Sequence, residues 1–147
     1  MLASLRTIVQ EVNSARSLPE VLAIIVKEGR GAMNAGVCSV YLFDDADQRY
    51  VLMATDGLRQ ESIGKVRLAM REGLVGLVAV KEEPLNLQDA DQHPNFSYFE
   101  ETGEAPFHSF LGVPIIHHRK VLGVLVLQQE TRRRFASEEE AFVVTVC

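Results

Sequence analysis

The chain has 147 residues, 47% of them apolar, and a formal net charge of −5 at pH 7, which together are typical of one globular domain. The negative charge argues against nucleic-acid binding, because contacts to backbone phosphates need a basic surface. No apolar run approaches the ~18 residues of a membrane span, and the N-terminus lacks a signal-peptide core. We therefore expect a cytoplasmic protein with neither a nucleic acid nor a membrane as partner.

The first two segments have the apolar spacing of helices. An amphipathic first helix is predicted by the apolar residues Leu2, Leu5, Ile8, Val9 and Val12. Ser17, with Glu20 three residues later, predicts a capping box for the second helix, and Pro19 suits its first turn. Asn34 or Gly36 can take the left-handed conformation that ends this helix.

The next segments have the composition of strands. Val37–Phe43 is rich in β-branched and aromatic residues, and Tyr50–Ala54 and Lys65–Ala69 are the second and third predicted strands. Because side chains alternate along a strand, the first strand has two predicted faces. One face carries Ser39, Tyr41 and Phe43, and the other carries Cys38, Val40 and Leu42.

After residue 72 the sequence no longer has the pattern of successive strands. Residues 74–80 could form a strand by composition, but Gly73, Gly76 and the charged residues 81–83 favour a short helix. A short extended piece, Pro84–Leu87, follows. Residues 88–107 are polar with scattered aromatics, among them Phe99, and have no sustained period. A stretch of this kind inside a compact domain is usually a lid or a binding loop.

Two apolar runs separated by a polar tetrapeptide form the segment Phe110–Gln129. This pattern predicts an antiparallel hairpin whose turn contains residues 117–120. Pro114 cannot donate a backbone hydrogen bond, so we expect a bulge or a sheet edge near the middle of the first run.

The last segment reads as a helix that continues past the final residue. Ser137 with Glu140 predicts a capping box, and the apolar series Ala141, Phe142, Val143 and Val146 runs to Cys147 without a stop signal. We expect a truncated helix here and a native N-terminus at Met1. An exposed apolar stripe at residues 142, 143 and 146 would favour self-association.

The order of these elements predicts an α+β domain with a central antiparallel sheet of five or six strands. The N- and C-terminal helices would cover one face, and the short helix with the long loop would cover the other.

Several motifs along the chain carry a family resemblance: Glu72–Gly76, Pro84–Ala90, His93-Pro94, Leu111–Ile115 and Leu122–Leu125. In their order and spacing they resemble a GAF domain that spans residues 1–147. The opening residues and the hairpin further resemble the N-terminal GAF domains of the nitrogen-related phosphotransferase enzymes I.

The resemblance implies a regulatory role without catalysis in this chain. A phosphoenolpyruvate-dependent body that autophosphorylates on a histidine and serves a small phosphocarrier protein is expected beyond residue 147. Such GAF domains are thought to respond to nitrogen status, with glutamine as the proposed small-molecule effector. The alternative is a ligand-free module that forms a homodimer through its terminal helices.

In domains of this family, ligands sit between the sheet and the short helix plus loop. The candidate ligand contacts that follow are Ser39, Tyr41, Thr55, Asp56, Val75, Asp89, Phe96, Phe107, His108, Ser109 and Val126. His108 or the helix N-terminus at residues 73–74 could meet a carboxylate, and Asp56 or Asp89 could meet an ammonium group.

The sequence predicts no cofactor, no metal site and no catalytic residue. Cys38 and Cys147 have no metal spacing, and Cys38 is expected to be a reduced core residue. His117 and His118 lie in a predicted turn, where solvent exposure explains them better than phosphotransfer. The cyclic-nucleotide signature, the bilin cysteine and the loop cysteines of free methionine sulfoxide reductases are absent.

Overall fold

A computed structural model describes residues 2–14, 17–96 and 107–147 of the chain. Within these ranges the chain forms helices α1 (Leu2–Ser14), α2 (Leu18–Met33), α3 (Gly73–Lys81) and α4 (Ser137–Val146), and strands β1 (Val37–Asp44), β2 (Arg49–Asp56), β3 (Arg67–Ala69), β4 (Leu85–Leu87), β5 (Ser109–His117) and β6 (Lys120–Gln129). The strands form one antiparallel sheet in the order β3-β2-β1-β6-β5-β4. The predicted α+β fold is confirmed.

The sheet separates two apolar cores. Helices α1, α2 and α4 pack on one face, where their apolar residues share a core with Cys38 and Val40 of β1. Helix α3 packs on the other face, where Tyr41 of β1 is buried. The alternation predicted for β1 is therefore confirmed. Because both faces of this central strand are covered, its first five residues are buried and its last three are partly buried.

The ends of α2 are set by its flanking residues. The Ser17 hydroxyl accepts a hydrogen bond from the Glu20 N–H at 3.3 Å, and Asn34 closes the helix with a φ of 51°, both as predicted. The cap of α4 was predicted one residue too late. Its cap residue is Ala136, whose N–H donates to the Glu139 carboxylate at 2.8 Å.

The β5–β6 hairpin is confirmed, with its turn at His118 and Arg119. Both have positive φ angles, 49° and 63°, as in the primed turns that match the twist of paired strands. Pro114 lies beyond Gly112, the last residue of β5 that pairs with β4. One side of β5 is thus a sheet edge at Pro114, and the register shifts shortly afterwards, between Ile115 and Ile116.

Two details of the terminal helices differ from expectation. Val9 was predicted on the buried face of α1, yet it is 50% exposed. Phe142 and Val143 were expected to form an exposed stripe, but both are buried against α1, α2 and the sheet. The sequence pattern was misleading because α4 turns its apolar side inward. In the described ranges, no helix combines the length and apolarity that crossing a bilayer requires.

Candidate functional site

A small cavity of about 40 Å³ lies between the sheet and α3. We call it the inner cavity, and its lining residues are Tyr41, Leu68, Gly73, Leu74, Val75, Ala90, Phe96, Phe107, Ser109, Phe110, Val126 and Gln128. Six of the eleven predicted contacts line it: Tyr41, Val75, Phe96, Phe107, Ser109 and Val126. The predicted placement between sheet and short helix therefore matches the position of the cavity.

The N-terminus of α3 forms one wall of the inner cavity. Gly73 begins the helix with a φ of 66°, a conformation that glycine adopts without steric cost. The preceding Glu72 makes no side-chain cap to the helix; its carboxylate accepts from the Ala69 N–H at 2.9 Å instead. The uncapped end of α3 thus suits the carboxylate role that the sequence offered to residues 73–74.

Ser39, Thr55 and Asp56 lie outside the lining of the inner cavity. The buried hydroxyls of Ser39 and Thr55 are hydrogen-bonded to each other at 2.9 Å, and Thr55 also accepts from the Leu58 N–H at 3.3 Å. The Asp56 carboxylate forms an ion pair with Arg30 at 2.9 Å. These contacts give the three side chains structural roles.

Asp89 and His108 also lie outside the inner cavity, beside Arg132. The Arg132 guanidinium contacts Asp89 at 2.5 Å and Asp91 at 3.1 Å, and its hydrogen bond lowers the pKa of Asp91 below the ordinary value of 3.8. Nδ1 of His108 lies 3.4 Å from Oδ2 of Asp91, but the contact lacks hydrogen-bond geometry. Asp89 is thus already paired with a cation.

Sequence reasoning missed several residues that line the inner cavity. Gln128 lies two residues after Val126 on β6 and shares its face, so simple alternation could have found it. Phe110 projects into the core beside α3, whereas the hydroxyl of the neighbouring Ser109 serves another segment. That hydroxyl donates to the Thr131 carbonyl and accepts from the Arg133 N–H at 2.9 Å.

Residues 131–136, between β6 and α4, are held to the sheet and to α4 by hydrogen bonds and an ion pair. The buried Asn86 of β4 donates to the Phe135 carbonyl at 2.9 Å and accepts from the Phe135 N–H at 3.1 Å. Arg133 contacts Glu139 at 3.0 Å and lies over the Phe135 ring. The hydrogen bond from Arg133 lowers the pKa of Glu139 below the ordinary value of 4.5, although burial opposes the shift.

The lowered pKa of Glu139 predicts that the stability of the fold decreases at acidic pH. Because this pKa is lowered in the folded state, the stability that Glu139 contributes is complete above about pH 4.5 and is lost as the pH falls through the folded value. Replacing Glu139 by Gln should therefore flatten the fall in unfolding free energy between about pH 5 and pH 3. Urea unfolding at several pH values measures this. The exposed Glu138→Gln is the control, and an equal slope in both variants would contradict the assignment.

The two cysteines do not contribute to the inner cavity. Burial raises the pKa of the Cys38 thiol far above its ordinary value and raises that of Cys147 to about 12. Cys38 is fully buried on the helix-covered face of the sheet, which confirms it as a core residue. In the part of the chain that the structure describes, no three His, Cys, Asp or Glu side chains are grouped to hold a metal ion.

Comparisons with known proteins agree with the fold. Residues 17–147 match the GAF domain family. The chain belongs to the GAF domain family. This GAF domain is 48% identical to the GAF domain from a phosphoenolpyruvate-protein phosphotransferase of Coxiella burnetii, with a TM-score of 0.94 over 99% of this chain and 86% of that one. It is 49% identical to the corresponding Acinetobacter domain, with a TM-score of 0.92 over 99% of this chain and 87% of that one.

The chain also matches one part of a much longer relative. Over 146 residues it is 49% identical to a "phosphoenolpyruvate-dependent phosphotransferase system" protein of Escherichia coli, covering 99% of this chain and 20% of that one. The chain thus spans about a fifth of the length of this relative. The free methionine-R-sulfoxide reductase of Neisseria meningitidis, 19% identical with a TM-score of 0.82 over 97% of this chain and 81% of that one, shares the fold alone.

Proposed function

We propose that this GAF domain is the regulatory, small-molecule-sensing domain of a phosphoenolpyruvate-dependent phosphotransferase of the nitrogen-related system. The observation that supports the proposal is the 48% identity, over 99% of the chain, to the GAF domain from a phosphoenolpyruvate-protein phosphotransferase. The effector would bind in the inner cavity and alter phosphotransfer from the catalytic body to a phosphocarrier protein. The GAF domain itself would not be catalytic.

Glutamine is the first candidate effector. An α-amino acid offers a carboxylate to the uncapped N-terminus of α3, which forms one wall of the inner cavity. The aromatic rings of Phe96 and Phe110 would cover the methylene groups. These features favour a small polar molecule with a short apolar stem.

The size of the inner cavity favours a second candidate function. At about 40 Å³ it is well below the roughly 300 Å³ at which ligand pockets usually begin, and Phe96 and Phe107 occupy the space beside it. A ligand-free module that dimerises through its terminal helices would have such a filled interior. Under the sensing proposal, the cavity must enlarge when the effector enters.

Thermal unfolding with and without glutamine distinguishes the two functions. Saturating glutamine should raise the midpoint, since ligand at about 100 times its dissociation constant adds about 2.7 kcal/mol. Glutamate tests whether the side chain of the ligand must be uncharged, and asparagine tests its length. 2-Oxoglutarate tests whether the ligand needs an amino group. No shift with millimolar glutamine, together with a concentration-dependent dimer in sedimentation, would favour the dimerisation module.

A matched pair of variants locates the effect. Val126→Ile adds one methyl group at the floor of the inner cavity and should abolish or weaken the response to glutamine. Val144→Ile adds the same group to an exposed position of α4 and should leave the response unchanged. A response that survives Val126→Ile at full strength would place the effector elsewhere.

A further inference from the structure

A second, larger concavity lies outside the inner cavity at the same end of the sheet. This outer concavity has a volume of about 430 Å³. It is lined by the end of α2, the residue just before β1, the last residue of β6 and the segment that follows, including Arg30, Gly36, Gln129, Glu130 and Arg133. Among the residues that the structure describes, Phe107 is the one that lines both spaces. This half-buried residue therefore lies at the boundary of the two spaces.

The ring of Phe107 occupies space that a glycine leaves open. A Cβ atom added at Gly36 would lie 2.9 Å from Cε1 of Phe107, so the ring packs directly on the glycine backbone. The backbone beyond the ring is fixed, because the His108 N–H donates to the Gln129 carbonyl at 2.8 Å and β5 begins at Ser109. Rotation about the side-chain bonds of Phe107 can thus open the partition while the strand stays paired.

We propose that the Phe107 ring is the gate through which a small zwitterionic ligand passes from the outer concavity into the inner cavity. With the ring rotated away, the two spaces become one chamber of the size that ligand sites usually have, roughly 300–1,000 Å³. The inner cavity alone, about 40 Å³, is too small for such a ligand. The identity of the ligand rests on the proposed function, whereas the route past Phe107 into the inner cavity does not.

The charges around the outer concavity select the class of ligand. Arg30 is paired with Asp56 at 2.9 Å, and Arg133 is paired with Glu139 at 3.0 Å. The exposed Glu130 adds a further negative charge. Both guanidinium groups are thus already matched by carboxylates, which disfavours a dianion. A zwitterion, with one acidic and one basic group, fits this balance.

Thiol labelling tests the gate without requiring any ligand. In a Cys147→Ser background, Val126→Cys puts a thiol on the wall of the inner cavity, and iodoacetamide at about pH 8 reports its accessibility. The native Cys38, fully buried on the opposite face of the same sheet, reports global opening in the same molecule. Peptide mass spectrometry follows both thiols separately.

Adding Phe107→Ala should accelerate labelling at position 126 by at least about tenfold, because access controls the rate, and leave Cys38 unchanged. Phe107→Tyr keeps the ring and should label at nearly the parent rate. Phe96→Ala, which removes a ring that lines the inner cavity alone, should have a much smaller effect. No acceleration with Phe107→Ala, equal acceleration of both thiols, or a larger effect of Phe96→Ala would overturn the gate.

Glutamine added to the same assay separates the two proposals. Protection of the thiol at position 126 by millimolar glutamine would support the effector, whatever the Phe107 variants do. Acceleration by Phe107→Ala without protection would support the gate and count against glutamine. Protection without acceleration would support the sensor and overturn the gate.

Discussion

Replacing Phe135 by alanine should lower the free energy of unfolding by about 3–5 kcal/mol, the usual cost of removing a buried phenyl ring. Phe135 is 2% exposed and belongs to the core beneath α1, α2 and α4. The loss should be at the upper end because the neighbours have little freedom to fill the space. The backbone of Phe135 is held by Asn86 on both its N–H and its carbonyl.

Urea unfolding followed by circular dichroism measures the effect of Phe135→Ala. Val144→Ala, at an α4 position that is 47% exposed, is the control and should change the free energy of unfolding by no more than about 0.5 kcal/mol. A loss below about 1 kcal/mol for Phe135→Ala would mean that the segment 131–136 collapses into the vacated space, which its fastening to Asn86 should prevent.

Replacing Gly123 by alanine should destabilise the domain by at least about 1–3 kcal/mol, the typical cost of overpacking. Gly123 lies in β6 opposite Leu42 of β1, near the centre of the sheet. A Cβ atom there would lie 2.1 Å from the carbonyl oxygen of Tyr41. Because the obstacle is backbone, β1 and β6 would have to separate locally to admit the methyl group.

The same substitution in α2 should have the opposite sign. Gly31 lies within the helix, and a Cβ atom there would meet nothing within 4 Å. Gly31→Ala should therefore stabilise the domain by about 0.5–1 kcal/mol, since alanine loses less backbone entropy than glycine in a helix. Thermal and urea unfolding of the two variants side by side provide the test. Equal effects of one sign would contradict the packing described for Gly123.

Features that depend on nearby residues could be predicted from the sequence. The cap of α2 at Ser17, the two faces of β1 and the β5–β6 turn each follow from residues a few positions apart. Local patterns failed where the relevant partner is distant. The inward orientation of α4 depends on packing against α1 and α2, and its own apolar residues do not show which side faces the core.

The candidate site divides in the same way. Alternation along β1 predicted the face on which Tyr41 lines the inner cavity, and Val126 of β6, a candidate from the family resemblance, lines it as well. Asp89 was considered as a ligand group, but it pairs with Arg132, 43 positions away, and no local pattern reveals such a partner. The Ser109 hydroxyl likewise forms hydrogen bonds with the backbone of residues 131 and 133. These bonds depend on the path of the chain after β6, which no local pattern predicts.

The two cores of this domain share one wall. Along β6, Val124 and Val126 face the core beside α3, while Leu125 and Leu127 face the core beneath the terminal helices. Close-packed interiors transmit displacement with little compliance. A shift of β6 that enlarges the inner cavity would therefore also change the surface against which α4 packs. The sheet can thus transmit a displacement from one core to the other without a hinge.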